Sequence, residues 1–547
     1  CFGGGGGWSG TSVGVLFVTY SFLVSGERWN DIVRWLVSGS VARRGDVTRA
    51  AAASFDGCLI FDEAHRAKNL ETGTKTAKLV VSLQDALPRA RVMYCSATGV
   101  SDLGHLVYAT RLGLWGETSF YCDFESFKRS LGDRGVGSLE QLALEMKMNG
   151  SFLARTLSWD GTEFDTVRVC LAEGQVRVYD ESVTWWSDLR REMKKVVELL
   201  RKNGKMLWRA YWSAHQRFFR EMALCCKIPA VVLDAKRMMA KGHVIVIGLQ
   251  STGEAGTWNA LEELGVFDGS QSSWEGKTLD KILSTAAAIM SSFVRNHFPV
   301  APDPPDVPKV PEIPPDGFGS NEERMLYMKL KAEKERIEAL PPPESWPDLV
   351  RRREEIIESV KKIDLPANAL DDLIDQFGGA SKVAEMTGRS IRTLRQSATT
   401  FTLTPRITNP SSNTTTNMLS APQSETNDRL NTTEKKAFLS SQKRIAIISD
   451  AASTGISLQS SPSHPPRRVH YTIELPWAAD KAIQQLGRTH RSGQVNAPLY
   501  KLVVTNLGGE RRFAAAVSQR MESLGALTKG DRRAGCGGLD LAEFHLD

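Results

Sequence analysis

The stretch that most limits what this chain can fold into runs from Ala482 to Gln494 and reads A-I-Q-Q-L-G-R-T-H-R-S-G-Q. Arg488 and Arg491 stand three residues apart behind Gly487, so on a helix both guanidiniums would leave one face. Guanidinium is permanently charged and grips phosphate oxygens two at a time, so such a pair suits a polyphosphate and, at a developing phosphoryl transition state, an arginine finger. A segment of this kind needs a partner that holds metal and water. The chain supplies a candidate at Gly57 to His65, G-C-L-I-F-D-E-A-H. Leu59, Ile60 and Phe61 read as a short buried strand whose carboxyl end delivers Asp62 and Glu63 into a crevice. There Asp62 suits Mg²⁺ and Glu63 suits orienting or deprotonating the attacking water. Taken alone, the same four residues also read as a helix start with acids in its first turn.

Further phrases follow in a fixed order: Ser96-Ala97-Thr98 after an apolar strand, S-D-A-A-S-T-G-I-S-L-Q at 449–459, then the arginine stretch. The series resembles a superfamily 2 helicase or translocase core. More narrowly, F-D-E-A-H-R-A-K-N, W-S-A-H-Q-R-F-F, V-I-G-L-Q-S-T-G-E-A, E-L-P-W-A-A-D-K-A-I-Q-Q-L-G-R-T-H-R and E-S-L-G-A-L-T-K-G-D-R-R-A resemble the strawberry notch family of nuclear transcriptional co-regulators, from about residue 61 to about residue 534. The resemblance implies an α/β protein of two RecA-like lobes, parallel sheets flanked by helices, that closes over ATP and Mg²⁺. It implies Glu63, Arg488 and Arg491 as catalytic groups, with Asp62, His65, Gly455, Gln484 and Gly487 on the nucleotide. Ser96 and Thr98 would couple the acidic motif to the second lobe, although a Ser-x-Thr turn is also an ordinary cap. Thr19, Gln250, Ser251, Thr252, Thr454 and Ser457 would face nucleic acid, DNA in preference to RNA. The implied setting is the nucleus, with transcription factors or chromatin proteins as partners. A catalytically inert scaffold and a Swi/Snf-like translocase are the alternatives.

The expected organisation is a partial first lobe over 1–160, a helical region and the start of the second lobe over 161–298, and a proline-rich linker with charged helices over 299–366. A helix-turn-helix-like module over 367–396, a disordered linker over 397–440 and the rest of the second lobe over 441–547 complete it. No G-x-x-x-x-G-K-[ST] loop precedes Asp62, and the glycines of 3–7 have no lysine behind them. The expectation is therefore a chain lacking the start of its first lobe, through truncation or loss.

Local readings fill in the remainder. V-G-V-L-F-V-T-Y-S at 13–21 reads as a strand. Trp208, Tyr211, Trp212, His215, Phe218 and Phe219 recur at helical spacing and read as a core stripe, with base stacking as the minority use. Within 370–395, Gly378-Gly379 reads as a turn before a second helix that Gly388 ends, placing Lys382 and Arg389 near phosphates or, equally, forming a protein-docking unit. A length of 547 residues calls for two or three domains, and a net charge of +6 permits a nucleic-acid partner without demanding one. The eight cysteines show no metal spacing, and no apolar run reaches membrane-spanning length, so no membrane partner is expected.

Overall fold

In the computed structural model, the residues described are 14–25, 31–33, 35–36, 52, 55–68, 70, 74–96, 103–117, 119–132, 136–154, 161–200, 204–263, 265, 274–303, 307–311, 320–341, 343–397, 400–406, 423–449, 456–476 and 478–517. They form an α/β fold of parallel sheets flanked by helices, as RecA-like P-loop NTPase domains are built. Among them no helix is long and apolar enough to cross a membrane.

The first region is small. Strands β1 (Cys58–Phe61) and β2 (Arg91–Tyr94) pair in parallel, joined by helix α2 (Lys75–Ala86). Parallel neighbours need such a crossover. Ala77, Val80 and Leu83 recur on one face of α2, and Val80 and Leu83 pack with Leu59, Phe61 and Leu87. The expected strand at 13–21 is not one. Residues 14–19 are irregular, with Val15 and Phe17 exposed, and helix α1 (Tyr20–Val24) begins behind Thr19, whose Oγ1 accepts from Phe22 N at 3.2 Å. A local cap with a free oxygen outcompetes the β-branched run. Helices α3 (Phe124–Gly132) and α4 (Val136–Met148) carry a second small core around Phe127, Leu142 and Met146.

The second region centres on a six-stranded parallel sheet in the order β3-β11-β10-β4-β9-β6. The strands are β3 (Glu163–Val169), β4 (Val244–Leu249), β6 (Val383–Met386), β9 (Ile445–Ser449), β10 (Arg468–Thr472) and β11 (Leu499–Thr505). β4, β6, β9 and β10 are buried throughout, as strands covered on both faces must be. Ile245, Ile247 and Leu249 meet the long helix α6 (Lys205–Ala240) and α11 (Ala369–Gln376), while Val244 and Val246 face the opposite layer with Phe438 and Leu458. That alternation is the two-residue period of a strand.

Against α6 lie α5 (Glu173–Leu199), α8 (Thr285–His297) and α10 (Pro347–Val360), sharing a core of Trp186, Tyr211, Phe218, Phe293 and Ile356. The aromatic stripe is therefore core, with Trp212 left at its edge. Of the charged helices, α9 (Asn321–Glu338) buries nothing, whereas α10 buries Leu349, Ile356, Ile357 and Val360 and is no solvated strut.

Two expectations for the insertion are overturned. Residues 383–386 are not a second helix but edge strand β6, bonded to β9 in register Val383↔Ile445. Gly378 and Gly379, at φ +94° and +91°, stop α11 and turn the chain back into the sheet. A four-residue strand buried on every side shows no alternation, so its sequence mimics a helix start. Arg389 accordingly lies nowhere near solvent: it is 2% exposed and bonded to Asp371 and Glu385. The 397–440 stretch is ordered where described. Strand β8 (Phe401–Pro405) pairs antiparallel with β7 (Ile391–Arg395) and β5 (Thr278–Leu279), and helix α12 (Gln423–Leu439) packs beside β6.

Candidate functional site

Asp62 and Glu63 leave the carboxyl end of β1, where parallel sheets present their ligand crevices. Glu63 adopts φ +48°, ψ +46°, a left-handed conformation that costs a non-glycine residue on the order of 1–3 kcal/mol. The reading as a plain helix N-terminus does not hold, because only a 3-10 turn over Ala64–Ala67 follows. Neighbours hold the bend in place. Ala64 N donates to Cys95 O at 2.9 Å, and the Tyr20 hydroxyl donates to Asp62 O at 2.9 Å. Burial first, then the nearby Asp62 carboxylate, pushes the Tyr20 hydroxyl up to about 12, so it stays a donor. The Asp62 side chain is exposed and takes only the Glu63 amide, at 3.0 Å.

His65 ties this loop to the end of β2. Its Nδ1 lies 3.2 Å from Ser96 Oγ and 3.3 Å from Glu63 Oε2. Asp62, Glu63, His65 and Ser96 are thus one constellation spanning adjacent strand ends. Thr98 lies outside the described residues.

The arginine stretch is built differently from its expectation. Helix α13 (Ala479–Leu486) ends before Gly487, and Arg488 and Arg491 follow in a turn, not on a shared helical face. Gly487 N bonds Ile483 O at 2.8 Å and Thr489 N bonds Leu486 O at 3.2 Å, closing the last turn. Arg488 is 7% exposed, and Arg491 Nε returns to Gly487 O at 3.1 Å. The turn is anchored from below: the Thr489 hydroxyl meets His470 Nδ1 at 2.9 Å, and the Tyr500 hydroxyl donates to Leu486 O at 2.8 Å. Burial drives the His470 imidazole down to about 3, so it stays neutral and hydrogen-bonding.

Ser457 belongs to the same assembly, because the next residue, Leu458, donates its amide to Arg488 O at 2.8 Å. Thr454 and Gly455 lie outside the described residues. Gln485 sits over Gly248 at the end of β4, where any Cβ would overlap its amide, and Gln484 precedes it on α13. Past β4, the amides of Gln250 and Ser251 both donate to Glu474 Oε2, at 2.9 and 3.2 Å, and Glu474 Oε1 pairs with Arg220 at 2.9 Å. Thr252 follows, its carbonyl facing Asn368. Thr19, expected at nucleic acid, caps α1 instead.

The structure therefore assembles the expected residues in two groups. Asp62, Glu63, His65 and Ser96 rest on the small core of the first region; Gln250, Ser251, Ser457, Gln484, Gly487, Arg488 and Arg491 rest on the six-stranded sheet. Tyr20 and Glu474 escaped notice as supporting residues. A lone acid closing the apolar run before Leu475-Pro476 was the available signal for Glu474.

Parallel α/β lobes, with acids at one strand end and an arginine turn docked on the other sheet, define a helicase-like chain of P-loop NTPase architecture. Family models agree: residues 8–181 match the P-loop containing NTP hydrolase pore-1 domain, and residues 368–547 match the C-terminal domain on Strawberry notch homologue. The chain belongs to the strawberry notch family. Over 98% of its length it is 36% identical to strawberry notch homolog 1 of Rattus norvegicus and 35% identical to strawberry notch homolog 2 of Homo sapiens. It is also 35% identical over 98% of its length to Protein FORGETTER 1 of Arabidopsis thaliana. It spans less than half of each of these relatives: 44%, 41% and 47% in the same order.

Proposed function

We propose that this chain is motor machinery of an ATP-dependent, helicase-like regulator of transcription and chromatin, working in the nucleus on DNA in preference to RNA with transcription factors or chromatin proteins as partners. The observation that carries the reading is the constellation at the ends of β1 and β2. A strained Glu63 beside an exposed Asp62 carboxylate, linked through His65 to Ser96, is a device that senses one ligand and passes its presence to the next strand. The donor set fits the implied ion, since Mg²⁺ takes oxygen ligands from one or two carboxylates and completes its shell with phosphates and water.

Asp62 holds Mg²⁺, which neutralises phosphate charge, and Glu63 orients the attacking water and takes its proton. Arg488 and Arg491 stabilise charge on the transferring phosphoryl group once the lobes close. ATP phosphates need a further cradle of amides and a lysine, which no segment before Asp62 in this sequence supplies. The test uses a full-length family protein carrying these residues. Glu63→Gln should lower nucleic-acid-stimulated ATP turnover about 100-fold or more. Unchanged turnover would remove Glu63 from the chemistry, and absence of turnover in the unmodified protein would leave the inert scaffold.

A further inference from the structure

A cavity of about 570 Å³ opens at the carboxyl ends of β4 and β9, between the loop after β4, α6 and α8. Ser449 closes its floor. This residue is 2% exposed, and its Oγ has no hydrogen-bond partner although it lines the cavity. A buried hydroxyl left unmade is a cost that a ligand oxygen removes. The start of α7 (Glu254–Glu263) forms one wall, and its first intrahelical bond is Thr257 N to Gly253 O at 3.0 Å, so the amides of 254–256 precede the ladder. Such a terminus favours an anion.

The charges around it permit one. Arg217 lines the cavity and is exposed, with Nε on Ser213 O at 3.4 Å. Glu254 is already held by Ser390 N at 2.7 Å and Ser390 Oγ at 2.5 Å, and Glu474 by two amides and Arg220. Burial, reinforced by Glu474, pushes the Glu221 carboxyl up to about 7, so it adds little negative charge. At the mouth, the His297 ring lies exposed, 5.3 Å from the Phe293 ring at 35°, beside exposed Asn296.

We infer that this cavity takes one nucleotide of a single strand, its phosphate on the α7 amides and the Ser449 hydroxyl and its base against His297. A base inside a duplex is stacked and paired and cannot enter a one-nucleotide cavity without being extruded. The inference rests on the reading that the chain acts on nucleic acid and adds which form it grips.

Fluorescence anisotropy with a labelled short oligothymidylate, the matching blunt duplex and adenosine monophosphate as competitor tests it on the 547-residue chain. The single strand should bind at least about tenfold more tightly than the duplex, and His297→Ala should weaken it by roughly tenfold while leaving duplex binding unchanged. Ser449→Ala should weaken it several-fold. Should that buried variant misfold, as its melting would show, His297→Ala at the exposed rim carries the test. Equal binding of both forms, untouched by the variants, overturns the pocket but leaves the nucleic-acid reading standing. No binding of either form at low salt overturns the reading beneath it. Competition by the monophosphate that Ser449→Ala removes supports the same pocket; monophosphate binding without any oligonucleotide binding overturns the strand as its occupant.

Discussion

The two regions fix functional side chains by opposite means. In the first, β1 and β2 are covered on one face only: Leu59 and Phe61 are each 7% exposed, whereas Ile60 and Met93, opposite each other in register, are 63% and 55% exposed. Glu63 is held there by a strained backbone and a handful of bonds. In the second, the strands beneath the arginine turn are buried on both sides, and that turn is bonded to β10, β11 and the segment before β10. The lesson is that a thin sheet positions a residue through local geometry, while a sandwiched sheet positions it through packing. Two separate cores should also melt separately, so calorimetry of the chain should show two transitions, and one cooperative transition would merge the regions.

The largest effect on this comparison should come from Arg389→Ala. Arg389 grips both Glu385 oxygens, at 2.7 and 3.1 Å, and Asp371 at 2.6 Å, joining α11 to β6; Arg406 adds the β7–β8 hairpin and Asn431 of α12. Burial alone would drive the Glu385 carboxyl up, but Arg389 and Arg406 outweigh it and leave it at about 2. Removing Arg389 strands two buried carboxylates, which costs about 3–5 kcal/mol. The second transition should fall by that amount in chemical denaturation and the first should not move. An equal loss in both would show that the regions stand or fall together.

This cluster also marks where the sequence was hard to read. The strands at 58–61, 91–94, 244–249, 445–449, 468–472 and 499–505 were legible because continuous apolar runs between turns have few other uses. The link from the acidic motif to Ser96 was legible because both ends close such runs. Edge strand β6 was not, since Glu385 looks like a solvent residue until Arg389 and Arg406 arrive from later in the chain. Tyr20 lies 42 residues from Asp62, and Glu474 lies 224 from Gln250. Partnerships over such separations leave no local period to detect. The helix imagined under Arg488 and Arg491 failed because Gly487 ends it.

Next in size is a pH effect. Glu221 of α6 is pushed up to about 7 by burial and then by Glu474, with Arg220 opposing. A folded pKa above the unfolded value means that the protonated form is favoured by folding. The associated stability is therefore whole below about pH 4.5 and is lost as pH rises through about 7, by about 3 kcal/mol. Glu221→Gln should flatten that slope in the second transition and raise its midpoint at pH 8. A slope that survives the substitution would assign the effect to another group.

The smallest effect is the sharpest check on the thin sheet. Leu59 and Ile60 are neighbours on one strand, so they point to opposite faces. Leu59→Ala removes a side chain that packs with Phe61, Val80 and Leu83 and should lower the first transition by about 2–5 kcal/mol. Ile60→Thr keeps the β-branch while trading an exposed methyl for a hydroxyl, so it should change stability by no more than about 0.5 kcal/mol. If Ile60→Thr instead cost as much as Leu59→Ala, the outer face would have to be covered. Glu63 would then be held by packing as the arginine turn is, and the contrast between the two regions would vanish.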